Sequence, residues 1–230
     1  MNKKVATLAV VMSCIALTGC GNEQEAKTGT VQMASVETDN NSTVKTDGKT
    51  LVVYFSYAEN ASLSDDVDAS SRASLNIDEN NDIVGNTKIV AEKIQQKTDA
   101  DIFSIQTVKK YPSTYDATVQ EGKIEKDEDA RPELATHIDN IDDYDTIFVG
   151  YPNWWADMPM ALYTFFDEYD LSGKKIIPFS TSGGSGLSNT VETIKDLEPK
   201  ATVEEGLTIS RNDVNSSDNQ IEQWLNSLNY

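Results

Sequence analysis

Hydrophobic and polar positions along the chain fall into three regimes. Lys3 and Lys4 precede an apolar segment over residues 5–17, too short to span a bilayer, which needs about 20 residues. This is the pattern of a secretory signal and not of an anchor helix. Over 21–48, Asn, Thr, Glu, Gln and Ser recur without an apolar period, the composition of a flexible tether. From Lys49 to the end at residue 230 the pattern becomes regular and predicts one folded domain. Apolar runs without polar alternation, at Leu51-Val-Val-Tyr-Phe55 and Ile147-Phe-Val149, predict strands of the kind buried on both faces, and Ile102-Phe-Ser-Ile105, Lys174-Lys-Ile-Ile-Pro-Phe179 and 201–207 predict three more strands.

Helical spacing fills the intervals. Gly85-Asn86-Thr87 opens a helix whose Thr87, Val90, Ala91 and Ile94 share one face. Further helical segments are expected from Tyr115 to Asp129, from Pro132, where Glu133 supports a first turn, over 158–169 and 187–197, and around Ile221, Trp224, Leu225 and Leu228. Strands alternating with helices predict an α/β fold with a parallel sheet and helices on both faces. Two stretches strain this pattern. Pro178 falls inside a predicted strand, where a missing donor is unfavourable, and is expected at that strand's carboxyl end. Residues 58–84 form a polar excursion rich in Asp, Asn and Ser with Arg72 as its one basic residue, long enough to be functional or disordered. Its Asp78-Glu-Asn-Asn-Asp82 is no calcium loop, because Ile83 stands where the turn needs glycine and Ile89 where a bidentate Glu belongs.

Cysteine and charge narrow the function classes. Leu17-Thr-Gly-Cys20 resembles the lipobox of bacterial lipoproteins, which implies cleavage before Cys20, lipidation of Cys20 and a place outside the cytoplasmic membrane. Cys14 would leave with the signal, so the mature domain has no thiol for disulfides, catalysis or metal ligation. Without Lys3 and Lys4, 17 basic residues face 38 acidic ones, a net charge near −21. Nucleic-acid binding rests on neutralising phosphates, so an acidic surface argues against it. Anionic lipid would repel such a surface too, leaving the lipid anchor to hold the protein at the membrane.

Candidate chemistry gathers where strands end. Ser56-Tyr57 rejoined by Gly85-Asn86-Thr87 offers hydroxyls and a helix start, a place for phosphate. Tyr151 to Trp155 offers flat aromatic faces seldom left in water without a use. Thr181 to Gly186 offers glycines that let backbone N–H groups approach a ring edge. In open parallel sheets ligands sit beyond the carboxyl ends of the strands, and a phosphorylated planar heterocycle such as flavin mononucleotide (FMN) suits all three. Other chemistries fit less well. Gly184, Gly186 and Asn189 lack the third glycine of a dinucleotide fingerprint, and Leu187 stands where a nucleophile elbow around Ser185 needs its second glycine. His137 reads as a helix-surface residue, and Asp139, Asp142, Asp143 and Asp145 as a solvated helix end and not a metal cluster.

Val-Val-Tyr-Phe-Ser56, Gly-Asn-Thr87, Gly150-Tyr-Pro-Asn-Trp-Trp155 and Ile-Pro-Phe-Ser-Thr-Ser-Gly-Gly-Ser-Gly186 resemble the flavodoxin-like family of bacterial proteins. The resemblance implies a doubly wound five-stranded sheet of order 2-1-3-4-5 and FMN as cofactor. It implies that Ser56, Tyr57, Asn86 and Thr87 hold the phosphate. Pro152, Asn153, Trp154 and Trp155 would line one side of the ring, with Thr181, Ser182, Gly183, Gly184 and Ser185 at its other edge. The 58–84 excursion departs from the family by splitting the phosphate loop. The implied activity is electron transfer to a redox partner protein or a small-molecule acceptor. Two alternatives stand beside it: an FMN-dependent NAD(P)H:quinone or small-molecule reductase, and a surface binding module that has lost the flavin.

Overall fold

Within the first strand, alternate residues enter opposite layers. Leu51, Val53 and Phe55 point into one hydrophobic cluster and Val52 and Tyr54 into another, all of them buried, as a strand covered on both faces requires. The computed structural model describes residues 48–63, 74–78, 80 and 82–230. The expected signal, Cys20, Arg72 and nearly all of the tether lie outside the described residues.

In chain order the described elements are β1 (Lys49–Phe55), α1 (Tyr57–Asn60), β2 (Leu75–Ile77), β3 (Ile83–Gly85), α2 (Asn86–Thr98), β4 (Asp101–Ile105), α3 (Tyr115–Asp127), β5 (Tyr144–Pro152), α4 (Met160–Glu168), β6 (Lys175–Ser182), α5 (Thr190–Leu197), β7 (Thr202–Val203), β8 (Leu207–Ser210) and α6 (Asp218–Ser227). The main sheet runs β4-β1-β5-β6-β7 with β8 also paired to β6, and all of these pairings are parallel. Taken over the five expected strands, the order is 2-1-3-4-5. Helices α2 and α6 close the face with Val52, Phe148 and Ile177. Helices α4 and α5 close the face with Val53, Val149 and Ile176, and α3 packs beyond them against α4.

The fifth strand is not the single run expected over 201–207. It is broken into β7, opposite Lys175 and Ile176, and β8, opposite Phe179 to Ser182, leaving Ile177 and Pro178 without a partner on that side. Pro178 explains the break. Ile176 O accepts from Glu204 N and Ser182 O from Arg211 N, both at 2.9 Å, so by strand parity Pro178 turns its donor-less nitrogen the same way. The chain jumps the gap at Gly206, where a Cβ would lie 2.9 Å from Pro178 O. Pro178 is therefore fourth of eight residues in β6 and not at its carboxyl end.

Three further expectations are corrected. No helix starts at Pro132: Leu134 is buried in an antiparallel bridge to Thr107, and Glu133 O and Ala135 N bond to Val108 N and Gln106 O. Extended pairing that satisfies the backbone and buries Leu134 overrides the local helix signal. His137 consequently lies exposed and outside any helix, with Nδ1 3.2 Å from Glu168 Oε2. The acidic run at 139–145 holds a single 3-10 turn, Ile141–Asp143, leading straight into β5, and no group of residues able to hold a metal ion occurs among the described residues. The 58–84 excursion carries its own structure where described: β2 and β3 form an antiparallel hairpin closed by Asp78, whose Oδ1 accepts from Asn80 N and Asp82 N at 2.9 Å.

Candidate functional site

Strands β5 and β6 run further than their apolar cores predict. Register continues through Tyr151 opposite Ser180 and Pro152 opposite Thr181. Tyr151 is therefore fully buried, its hydroxyl 2.7 Å from Thr190 Oγ1, and offers no face to a ligand. The chain leaves the sheet at Asn153. Its backbone N–H donates to Thr181 O, and its Nδ2 donates to Gly186 O and Ser188 Oγ, each at 2.9 Å. One side chain thus ties the β5 loop to the β6 loop.

The two tryptophans follow in a tight turn. Trp154 and Asp157 exchange both backbone hydrogen bonds, at 2.9 and 3.0 Å, around Trp155 and Ala156. Both central residues are left-handed, with φ of 55° and 59°, where such turns usually carry Asn-Gly and other residues lose about 1–2 kcal/mol each. Contacts from α3 hold the strained turn: Trp155 Nε1 donates to Val119 O at 2.9 Å, Lys126 Nζ donates to Trp155 O at 2.8 Å, and Lys123 lies 5.6 Å from the Trp155 ring. Trp155 remains exposed. Trp154 instead is half-buried, edge-on to Phe55, Tyr57 and Tyr111 at centroid separations of 5.6, 6.4 and 5.1 Å.

These loops enclose a cavity of about 330 Å³. Of the expected site residues, Tyr57, Pro152, Asn153, Trp154, Trp155, Thr181, Ser182, Gly183 and Ser185 line it. Helix α3 supplies a wall that sequence reasoning missed: Tyr115, Thr118, Val119 and Gly122. Their i, i+3, i+4, i+7 spacing places them on one helix face, and that spacing was the available signal within a segment expected as a polar helix with no part in the site. Ser74, Ala156 and Arg211 also line the cavity. Among the described residues, Arg211 is its one charged lining residue and no carboxylate lines it.

Ser56, Asn86, Thr87 and Gly184 are not on the cavity wall. The first three lie buried where β3 meets α2. The hairpin reunites the halves of the split loop: it brings Gly85 so close to Ser56 that a Cβ on Gly85 would sit 1.6 Å from Ser56 Oγ. Ser56 Oγ is fully buried and has no hydrogen-bond partner among the described residues, a state that costs about 1–3 kcal/mol. Asn86 N donates to Ser74 O at 3.0 Å, and Asn76 Nδ2 to Asn86 Oδ1 at 3.1 Å. Thr87 Oγ1 and Thr181 Oγ1 are 2.9 Å apart, so one buried hydroxyl pair joins this cluster to the cavity wall. Gly184, at φ 141°, is exposed.

Behind Trp154, burial pushes the Tyr111 hydroxyl well above its usual range, and Tyr111 donates to Glu125 Oε2 at 2.8 Å. Burial also raises Glu125, with the hydrogen bond from Tyr111 opposing. This keeps the phenol protonated beside the indole.

Residues 80–228 match the protein family described as flavodoxin. No curated protein matches the chain. Among solved structures, one from Bacteroides eggerthii described as a candidate flavoprotein is 26% identical, covering 79% of this chain and 98% of its own, with a TM-score of 0.60. Another from Bacteroides uniformis, described likewise, is 27% identical over 78% of this chain and 98% of its own, with a TM-score of 0.58. A flavoprotein from Lactobacillus acidophilus, solved in complex with FMN, shares the fold at 19% identity, 74% and 97% coverage and a TM-score of 0.52.

Proposed function

The chain belongs to the flavodoxin family, and on that premise we propose that it binds FMN noncovalently and carries electrons outside the cytoplasmic membrane, tethered through lipid on Cys20. The observation that supports this most is the convergence of the β1, β5 and β6 ends on one cavity with an indole wall, joined through Thr87 and Thr181 to a buried cluster containing an orphaned hydroxyl. That donor set suits FMN. Ser56 Oγ, the Asn86 side chain and Thr87 Oγ1 would serve the phosphate, with Tyr57 beside them. Trp154 and Trp155 would flank the ring, and Thr181, Ser182, Ser185 and the backbone of Gly183 would serve its edge. FMN when bound supplies the redox chemistry, while the protein sets access and potential.

The chain's own residues arrange for that role. Asn153 holds two loops at one spacing, and α3 anchors Trp155 through Val119 and Lys126. The tether and lipid keep the domain at the membrane, since an acidic surface offers no attraction to anionic lipid. A redox partner protein or small-molecule acceptor would meet the exposed Trp155 edge.

The test is a visible spectrum of the purified chain, before and after adding FMN, with release and identification of any chromophore. A yellow protein that does not oxidise NADPH in stopped-flow mixing supports the electron carrier; rapid NADPH oxidation would assign a reductase. A colourless protein unable to bind FMN overturns the reading. Cys20→Ala should move the protein from the membrane to the soluble fraction.

A further inference from the structure

Resting on the FMN reading above, we propose that Arg211 is the counter-charge of this cavity: its guanidinium favours the negative charge that the cofactor gains on reduction and so sets how much more tightly the reduced form binds than the oxidised one.

Four observations converge on this side chain. The protein carries 38 acidic against 19 basic residues, yet among the described residues the cavity wall holds no carboxylate and one cation, Arg211. Arg211 takes part in no ion pair among the described residues, whereas Arg131 is paired with both Asp129 and Asp167. Its position is fixed at the backbone, where Arg211 N donates to Ser182 O at 2.9 Å at the end of β8. The guanidinium lies along the glycine loop, with Nη1 3.8 Å from where a Cβ on Gly183 would stand, so the loop places no side chain of its own there.

The chemistry follows from charge. Uptake of two electrons and one proton leaves the ring with one added negative charge, and an arginine keeps its positive charge at every working pH. An uncharged oxidised ring gains little from that charge, and a reduced anionic one gains more. Nothing in the fold needs the guanidinium: Arg211 is exposed, so its removal should leave folding intact.

The experiment compares wild type, Arg211→Gln and Arg211→Lys in the full chain. Oxidised FMN affinity is read by fluorescence titration, and the two-electron midpoint by anaerobic dithionite titration against a reference dye at two salt concentrations. Arg211→Gln should change oxidised affinity less than about twofold and cut the preference for reduced FMN about tenfold, a midpoint about 30 mV lower. Arg211→Lys should recover most of that shift. The rise of the midpoint with salt should be steeper in Arg211→Gln, because the acidic field then acts unopposed. An unchanged midpoint, or equal loss of affinity for both forms, overturns the assignment and leaves FMN binding standing. A wild type that takes up no FMN overturns the underlying reading, and this assignment with it.

Discussion

Trp154 packs in T-shaped contacts with Phe55, Tyr57 and Tyr111, whereas Trp155 is 47% exposed on a left-handed turn. Of these neighbours in sequence, one is packed among aromatic rings and the other stands open at the cavity wall. Trp154→Ala should lower stability by about 2 kcal/mol in a urea melt, below the range for a fully buried Trp, and should also weaken FMN binding. Trp155→Ala should cost less than about 1 kcal/mol in the same melt, yet weaken FMN binding by roughly fivefold to tenfold, the size of one stacking contact. Glu198 poses a different residue-scale question. Burial first, then the nearby charges of Asp170 and Asp167, push its carboxyl from 4.5 up to about 7. Because the folded value lies above the unfolded one, its contribution is fully present below about pH 4.5 and is lost as pH rises through 7. Melting temperatures of wild type and Glu198→Gln, compared across that window, should show the wild type alone losing this increment.

At the scale of elements, the hairpin β2–β3 delivers the start of α2 to the end of β1. It repairs a loop that the 58–84 excursion had separated in sequence, and the seam is the contact between Gly85 and Ser56 Oγ. Gly85→Ala should therefore destabilise the fold by about 1–3 kcal/mol through overpacking and reduce FMN affinity, both measurable by denaturant melt and fluorescence titration. Wild-type behaviour in both would mean the seam is loose. The break between β7 and β8 has a comparable local cause: a strand facing Pro178 finds no donor there, so pairing stops and resumes two residues later.

Over the whole molecule, the dominant field is negative, with a formal net charge of −19. One carboxylate about 10 Å from a reduced ring, at an effective dielectric near 20, costs roughly 1.7 kcal/mol, less as salt shortens the screening length. The midpoint potential of the FMN-loaded protein should therefore rise as salt is added, and a flat response would remove acidic surface charge from the account. The same sequence that sets this charge also announced the architecture. Strands β1, β5 and β6 were legible because a residue covered on both sides must be apolar, a requirement written locally as Leu51 to Phe55 or Ile147 to Val149, and the buried face of α2 was legible from its helical spacing. The broken fifth strand, the extended segment at Pro132, the α3 wall and the presence of Arg211 at the cavity were decided only by tertiary structure. Each depends on a partner distant in the chain, Pro178, Thr107, Trp155 and Ser182 respectively, and local propensity carries no information about which distant group will arrive.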